Sequence, residues 1–170
     1  MSGRTRAGAV ALLLGALAGC GESREYAVPA EVCGVPVDPA VLAPFLPPGE
    51  TVEQSAYASR PANPRCSITV DGQTVLTVKA DVIEPAEDPM KVHERLLVDA
   101  DRIPVGDDAR VADATALAVA ACTYEGKPRK FVAQLFPPSG TDDVAERREA
   151  LTRLMTAYFP AVRREVGCSS

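Results

Sequence analysis

Six side chains hold most of the chemistry this sequence offers: Cys20, Cys33, Cys66, Cys122, Cys168 and the single histidine, His93. A thiolate is a nucleophile or a soft metal ligand, and an imidazole titrates unaided near neutral pH. Spacing decides between these uses. No two cysteines stand as Cys-x-x-Cys, and His93 is far from every cysteine. That argues against a zinc site or a dithiol redox pair, so no metal and no cofactor is expected. No serine sits in Gly-x-Ser-x-Gly and no glycine-rich phosphate loop occurs, so no catalytic residue is assigned. His93 falls at the border of an apolar stripe, where an imidazole is more often packed than catalytic. It stays as the centre of one alternative, an unfamiliar surface hydrolase.

Two charged groups are weaker candidates. Asp99, Asp101, Asp107 and Asp108 crowd one stretch, but their spacing is not that of an EF-hand, and they read as a solvated acidic loop. Lys127, Arg129 and Lys130 are a small basic group on a strand. Alternation sends Arg129 and Lys130 to opposite sides, which does not build a phosphate groove.

The first twenty residues have their own logic. Arg4 and Arg6 precede an uncharged small-and-aliphatic run, Ala7 to Ala16. That run falls well short of the roughly 20 residues a membrane-spanning helix needs, and it fits the apolar region of an export signal. Leu17-Ala18-Gly19-Cys20 follows and resembles the lipobox of bacterial lipoproteins. The resemblance implies a diacylglyceryl thioether on Cys20, cleavage between Gly19 and Cys20, and attachment to the outer face of the cell membrane. Two acyl chains hold stably where one holds only marginally. The expected organisation is a signal peptide over 1–19, a lipidated tether over 20–30, and one extracytoplasmic domain over 31–170.

Loss of 1–19 removes two arginines and no acids, leaving 16 basic against 23 acidic residues, a net −7. An acidic chain with no tryptophan is a poor nucleic-acid binder, so none is expected as a partner. With Cys20 given to lipid, four cysteines remain, an even number in an exported chain. Two disulfides are expected from three connectivities. The favoured pairs are the sequence neighbours, Cys33–Cys66 and Cys122–Cys168, each worth on the order of 4 kcal/mol by loop closure.

Several elements can be placed from the pattern. Asp38-Pro39 offers an N-cap and a proline at the first helical position, for a short helix to about Leu46, ended by Pro47-Pro48-Gly49. Cys66–Val70 and Thr74–Ile83 alternate about Asp71-Gly72, a hairpin signature. Asp88-Pro89 then opens a helix with Val92, Leu96, Leu97, Ala100 and Ile103 on its apolar stripe. Leu117–Tyr124 and Arg129–Phe136 are strands about Glu125-Gly126. Asp143 with Glu146 resembles a capping box for a helix with Val144, Leu151, Leu154, Met155, Tyr158 and Val162 inward, kinked or ended at Pro160. The halves read either as two copies of one ββα unit or as unrelated hairpin–helix pairs. In both cases the class is α+β, a mostly antiparallel sheet with helices packed on it.

Beyond the lipobox, the chain resembles small actinobacterial cell-envelope lipoproteins of uncharacterised function. The likeness rests on a cysteine ahead of a short helix (Cys33), one opening a hairpin strand (Cys66-Ser67-Ile68) and a late pair. It implies disulfides and surface display and brings no catalytic residues with it. The expectation is a lipid-anchored, non-enzymatic envelope protein that binds a partner or ligand outside the membrane. A structural envelope component and the His93 hydrolase are the alternatives.

Overall fold

The computed structural model describes residues 23–58, 62–138 and 143–169. Cys20 and the segment 1–19 lie outside the described residues.

A small hairpin, β1 (Glu31–Val32) and β2 (Val35–Pro36), leads into a capped turn of helix, α1 (Pro39–Leu42). The Asp38 carboxylate accepts the Ala40 N–H at 2.8 Å, as an N-cap should. Pro44 is tolerated because the chain tightens into a 3-10 turn, Ala43–Phe45. Next come β3 (Val52–Ala58), β4 (Pro64–Val70) and β5 (Gln73–Ile83). A helical turn, α2 (Pro89–Val92), precedes β6 (Asp101–Arg102), β7 (Asp108–Ala112), β8 (Thr115–Tyr124) and β9 (Lys127–Phe136). The chain closes with a long helix, α3 (Val144–Glu165).

The seven strands β3 to β9 make one antiparallel sheet in the order β3-β4-β5-β9-β8-β7-β6. Two of its tight hairpins, β4–β5 and β8–β9, are the ones expected, and β7–β8 adds a third through Asp113-Ala114. Asp71 and Gly72 have φ of 48° and 77°, and Glu125 and Gly126 have 49° and 72°. Positive φ at both central residues is the type I′ geometry, whose twist matches that of the flanking strands. The β5–β9 pairing joins the halves, setting Val78 opposite Leu135 and Ala80 opposite Ala133.

One face of the sheet carries the main core. Ile68, Leu76, Val78, Ala118, Phe131, Ala133 and Leu135 are buried there with Leu151, Leu154, Met155 and Tyr158 of α3. The Phe131 and Phe159 rings meet tilted, centroids 5.5 Å apart. On the other face, Leu117, Val119 and Val132 are covered by Met90 and Leu97 from the segment after β5. Class and layering are therefore α+β.

Four local expectations change, one of them Val144, read as inward on α3 but 43 % exposed in its first turn. The helix opened by Asp88-Pro89 lasts one turn: His93 leaves the helical region at φ −104° and ψ 16°, and Glu94–Leu96 is a 3-10 turn. A continuous stripe does not form, so Val92 is 73 % and Leu96 49 % exposed while Met90 and Leu97 face inward. Packing onto the second face of the sheet overrides the periodicity of the segment. The helices of the two ββα halves also differ in kind. One is a four-residue turn and the other spans 22 residues, and they cover opposite faces, so only the hairpins correspond. Finally, Pro160 does not end α3, which runs on to Glu165. Pro160 lies on the exposed side, as does Thr156 four residues before it, where water can serve the carbonyl that loses its N–H partner.

Candidate functional site

Cys33 bonds Cys66, with Cα atoms 5.9 Å apart, and Cys122 bonds Cys168, at 5.5 Å. The first bond pins the β1–β2 hairpin to β4, and Gln54 on β3 secures it further. The Gln54 side chain accepts the Cys33 N–H and donates to the Glu31 carbonyl at 2.9 Å. The second ties the chain beyond α3 to β8, where Thr123 and Ser169 exchange backbone hydrogen bonds of 2.8 and 3.1 Å. These four thiols are spent on architecture.

His93 caps the end of α2 and is half-buried. Among the described residues its side chain makes no hydrogen bond or ion pair, and no carboxylate converges on it. Val92, Leu96 and Val98, the last 64 % exposed, form an outward ridge on the segment whose inward side is Met90 and Leu97.

The four aspartates of the acidic stretch do not act together. Asp101 pairs with Arg148 at 2.7 Å, Asp108 with Arg110 at 3.0 Å, and Asp107 accepts the Ala121 N–H at 2.6 Å. No cluster able to hold a metal ion occurs among the described residues. Arg148 is the hub that sequence reasoning missed. From α3 it bonds Asp101, the Asp113 carboxylate at 2.7 Å and the Asp99 carbonyl at 3.0 Å. The hydrogen bond it donates to Asp101, then that to Asp113, makes its guanidinium still harder to deprotonate than usual.

The basic group is likewise divided. Arg129 pairs with Glu84 at 2.6 Å, Lys130 donates to the Glu87 carbonyl at 2.7 Å, and Lys127 is exposed. Arg129 and Lys127 do line an open cleft of about 350 Å³ with Asn63, Val82, Tyr124 and Glu125, at the turn end of β8 and β9. A shallower apolar groove of about 230 Å³ runs beside the first disulfide, with Val35, Ala56, Tyr57 and Pro64 on its walls. Tyr158 reaches this groove from α3, and burial pushes its phenol well above the usual tyrosine range.

The segment read as tether is described from Ser23 onward, and from Arg24 it lies on the domain. Arg24 forms a β-bridge with Gly49, and Glu25 N–H donates to the Gly49 carbonyl at 2.8 Å. The Arg24 guanidinium donates to the carbonyls of Ala43, at 3.1 Å, and Leu46, while the Tyr26 hydroxyl bonds the Pro47 carbonyl. Tyr26 and Val28 pack against the core. Nothing in the sequence pattern flagged these contacts, because they are made mainly to backbone carbonyls.

No helix among the described residues is long and apolar enough to cross a membrane. Compared with known proteins, the chain matches no family model, no curated sequence and no solved structure.

Proposed function

We propose that this chain is a lipid-anchored protein of the outer face of the cell membrane, and that its domain binds a protein partner and is not an enzyme. The observation that carries the binding reading is the ridge of Val92, Leu96 and Val98. Three large aliphatic side chains within seven residues stand in water although the same segment has an inward side to bury them on. Such a patch marks an interaction surface, and the charged residues Lys91, Glu94, Arg95 and Asp99 around it fit a protein with an apolar centre and a mixed polar rim. The anchoring reading is supported by the lipobox-like Leu17–Cys20 and by two disulfides, which belong to an oxidising compartment.

Two measurements test the two halves separately. Intact mass of the membrane-extracted chain is expected to show a diacylglyceryl group at Cys20; a mature mass without lipid rejects the anchor. Photo-crosslinking groups placed at Val92, Leu96 and Val98 in the native cell are expected to capture one common protein, with none captured from Lys127. Crosslinks that are equal at both places reject the ridge as the interface. Substitution of His93 by alanine is expected to leave that capture intact, and a hydrolytic activity that disappears with His93 would reinstate the enzyme reading.

A further inference from the structure

We propose that the domain stands on the membrane on its Pro47–Glu50 end, held within one short leash of the lipid surface, with the cleft of Asn63, Tyr124, Lys127 and Arg129 directed away from it. The inference rests on the lipid-anchor reading and adds an orientation to it.

The first argument is chain length. A lipidated Cys20 has its sulfur at headgroup level, and Arg24 is already fastened to Gly49. Four residue steps separate the two, and a fully extended chain advances at most about 3.6 Å per residue, which bounds the leash at about 14 Å. The fastening is not a single contact. A backbone bridge closed by the Glu25 N–H on the Gly49 carbonyl, the guanidinium on the carbonyls of Ala43 and Leu46, and the packed Tyr26 ring all hold the same seam. Arg24 also lies over the Tyr26 ring, 5.7 Å from its centroid.

The second argument is where the rest of the molecule lies. Gly49 and Glu50 sit beside the Asp71-Gly72 turn, since the Asp71 carboxylate accepts the Glu50 N–H at 3.1 Å. From that turn β5 runs to Ile83, whose partner on β9 is Lys130, and Lys127 is three residues further out. At about 3.3 Å per residue, the cleft end is roughly 40 Å from the attached end before twist shortens it. A 14 Å leash cannot exchange the two ends.

The third argument is charge. Glu25, Glu50 and Asp71 surround the attachment, Arg24 beside them is engaged with carbonyls, and Arg147 lies behind the turn, lining a pocket with Pro44, Phe45 and Glu146. A polybasic surface would be drawn onto anionic headgroups; this end is not. Proximity therefore comes from the leash alone, and a domain lacking residues 1–22 has no affinity of its own for the bilayer.

The chain contains no tryptophan, which makes the test direct. The mature, lipidated protein is placed in vesicles of neutral and anionic phospholipid bearing a dansyl headgroup. Energy transfer is read from Pro48→Trp at the attached end and from Lys127→Trp at the cleft end, both exposed positions. Transfer several-fold stronger from Pro48→Trp is expected. Inserting a flexible Gly/Ser stretch of about 20 residues between Glu22 and Ser23 is expected to remove most of that difference. Equal transfer from the two positions, in protein whose intact mass carries the lipid, overturns the orientation alone. A mass without lipid overturns the anchor reading beneath it. Binding of the unlipidated domain to the same vesicles overturns the claim that the leash acts alone.

Discussion

The Asp71 carboxylate accepts the backbone N–H of Thr51 at 2.8 Å and its hydroxyl at 3.0 Å, so a turn residue of one hairpin anchors the start of another strand 20 positions earlier. The N–H of Thr51, followed by that of Glu50, holds the Asp71 carboxyl below the usual aspartate range. A depressed folded-state pKa stabilises the fold above the unfolded value, and that contribution is lost as pH falls through the folded value. Asp71→Asn keeps the left-handed turn, since asparagine tolerates positive φ, and keeps one acceptor oxygen for Thr51 while removing the charge and the second acceptor. Thermal melts are expected to show a lower Tm for the variant at pH 7, with the gap narrowing below about pH 4. A gap that stays constant into acid would show that the charge is not what matters.

Leu96 and its neighbour Leu97 separate surface from core within one peptide bond. Leu97 is 7 % exposed against Leu117 and Val132, and Leu96 stands in water. Leu97→Ala is expected to cost roughly 2–3 kcal/mol in denaturant unfolding, and Leu96→Ala less than about 0.5 kcal/mol. Comparable losses at the two sites would contradict the outward ridge.

Gly106 cannot carry a side chain. Its φ is 61°, and a Cβ there would lie 2.4 Å from the Val119 carbonyl oxygen, a backbone atom with nowhere to move. The same carbonyl accepts the Asp107 N–H at 2.8 Å, so the approach is part of how the loop seats on β8. Gly106→Ala is expected to destabilise the domain by about 2 kcal/mol or more. Calorimetry that finds it neutral would mean the loop can lift without cost.

Opening the Cys122–Cys168 bond by a double serine substitution enlarges the unfolded ensemble by releasing a loop with a 46-residue separation. The loop-closure account puts the loss at about 4 kcal/mol. Hydrogen exchange is expected to locate the added opening first at Thr123 and Ser169, whose mutual bonds depend on the tie.

Arg148→Met tests the hub. Arg148 is largely shielded, but Asp101 and Asp113 are exposed, which limits such pairs to about 1 kcal/mol or less. The loss is expected to shrink in high salt.

Much of the scaffold was readable from sequence where local chemistry is self-sufficient. Asp71-Gly72 and Glu125-Gly126 announce their turns, Asp38-Pro39 and Asp143 announce their helices, and the strands beside the turns alternate cleanly. β3 escaped notice because it is an edge strand whose outward residues, Glu53, Ser55 and Tyr57, meet water, so hydrophobic contrast is weak. β7 was hidden by Asp108 and Arg110, which are two residues apart on one side of the strand and pair with each other, giving the look of an acidic loop. Val92 and Leu96 fall on the apolar stripe in sequence because a 3.6-residue period joins them only if the helix continues past His93. The Arg24 seam had no signature at all, since backbone carbonyls leave no trace in residue identity.

The two disulfides also set how the domain would bear a pull. A tension applied between Ser23 and Ser169 follows the shortest covalent route. That route crosses from Cys33 to Cys66, runs along the chain to Cys122, and crosses again to Cys168. Residues between Cys33 and Cys66, and all of β9 and α3, hang outside the loaded path. Only the stretch from Cys66 to Cys122 and the short ends can pay out length. The domain is thus wired as a short strut, with its largest helix and its central strand kept off the line of force.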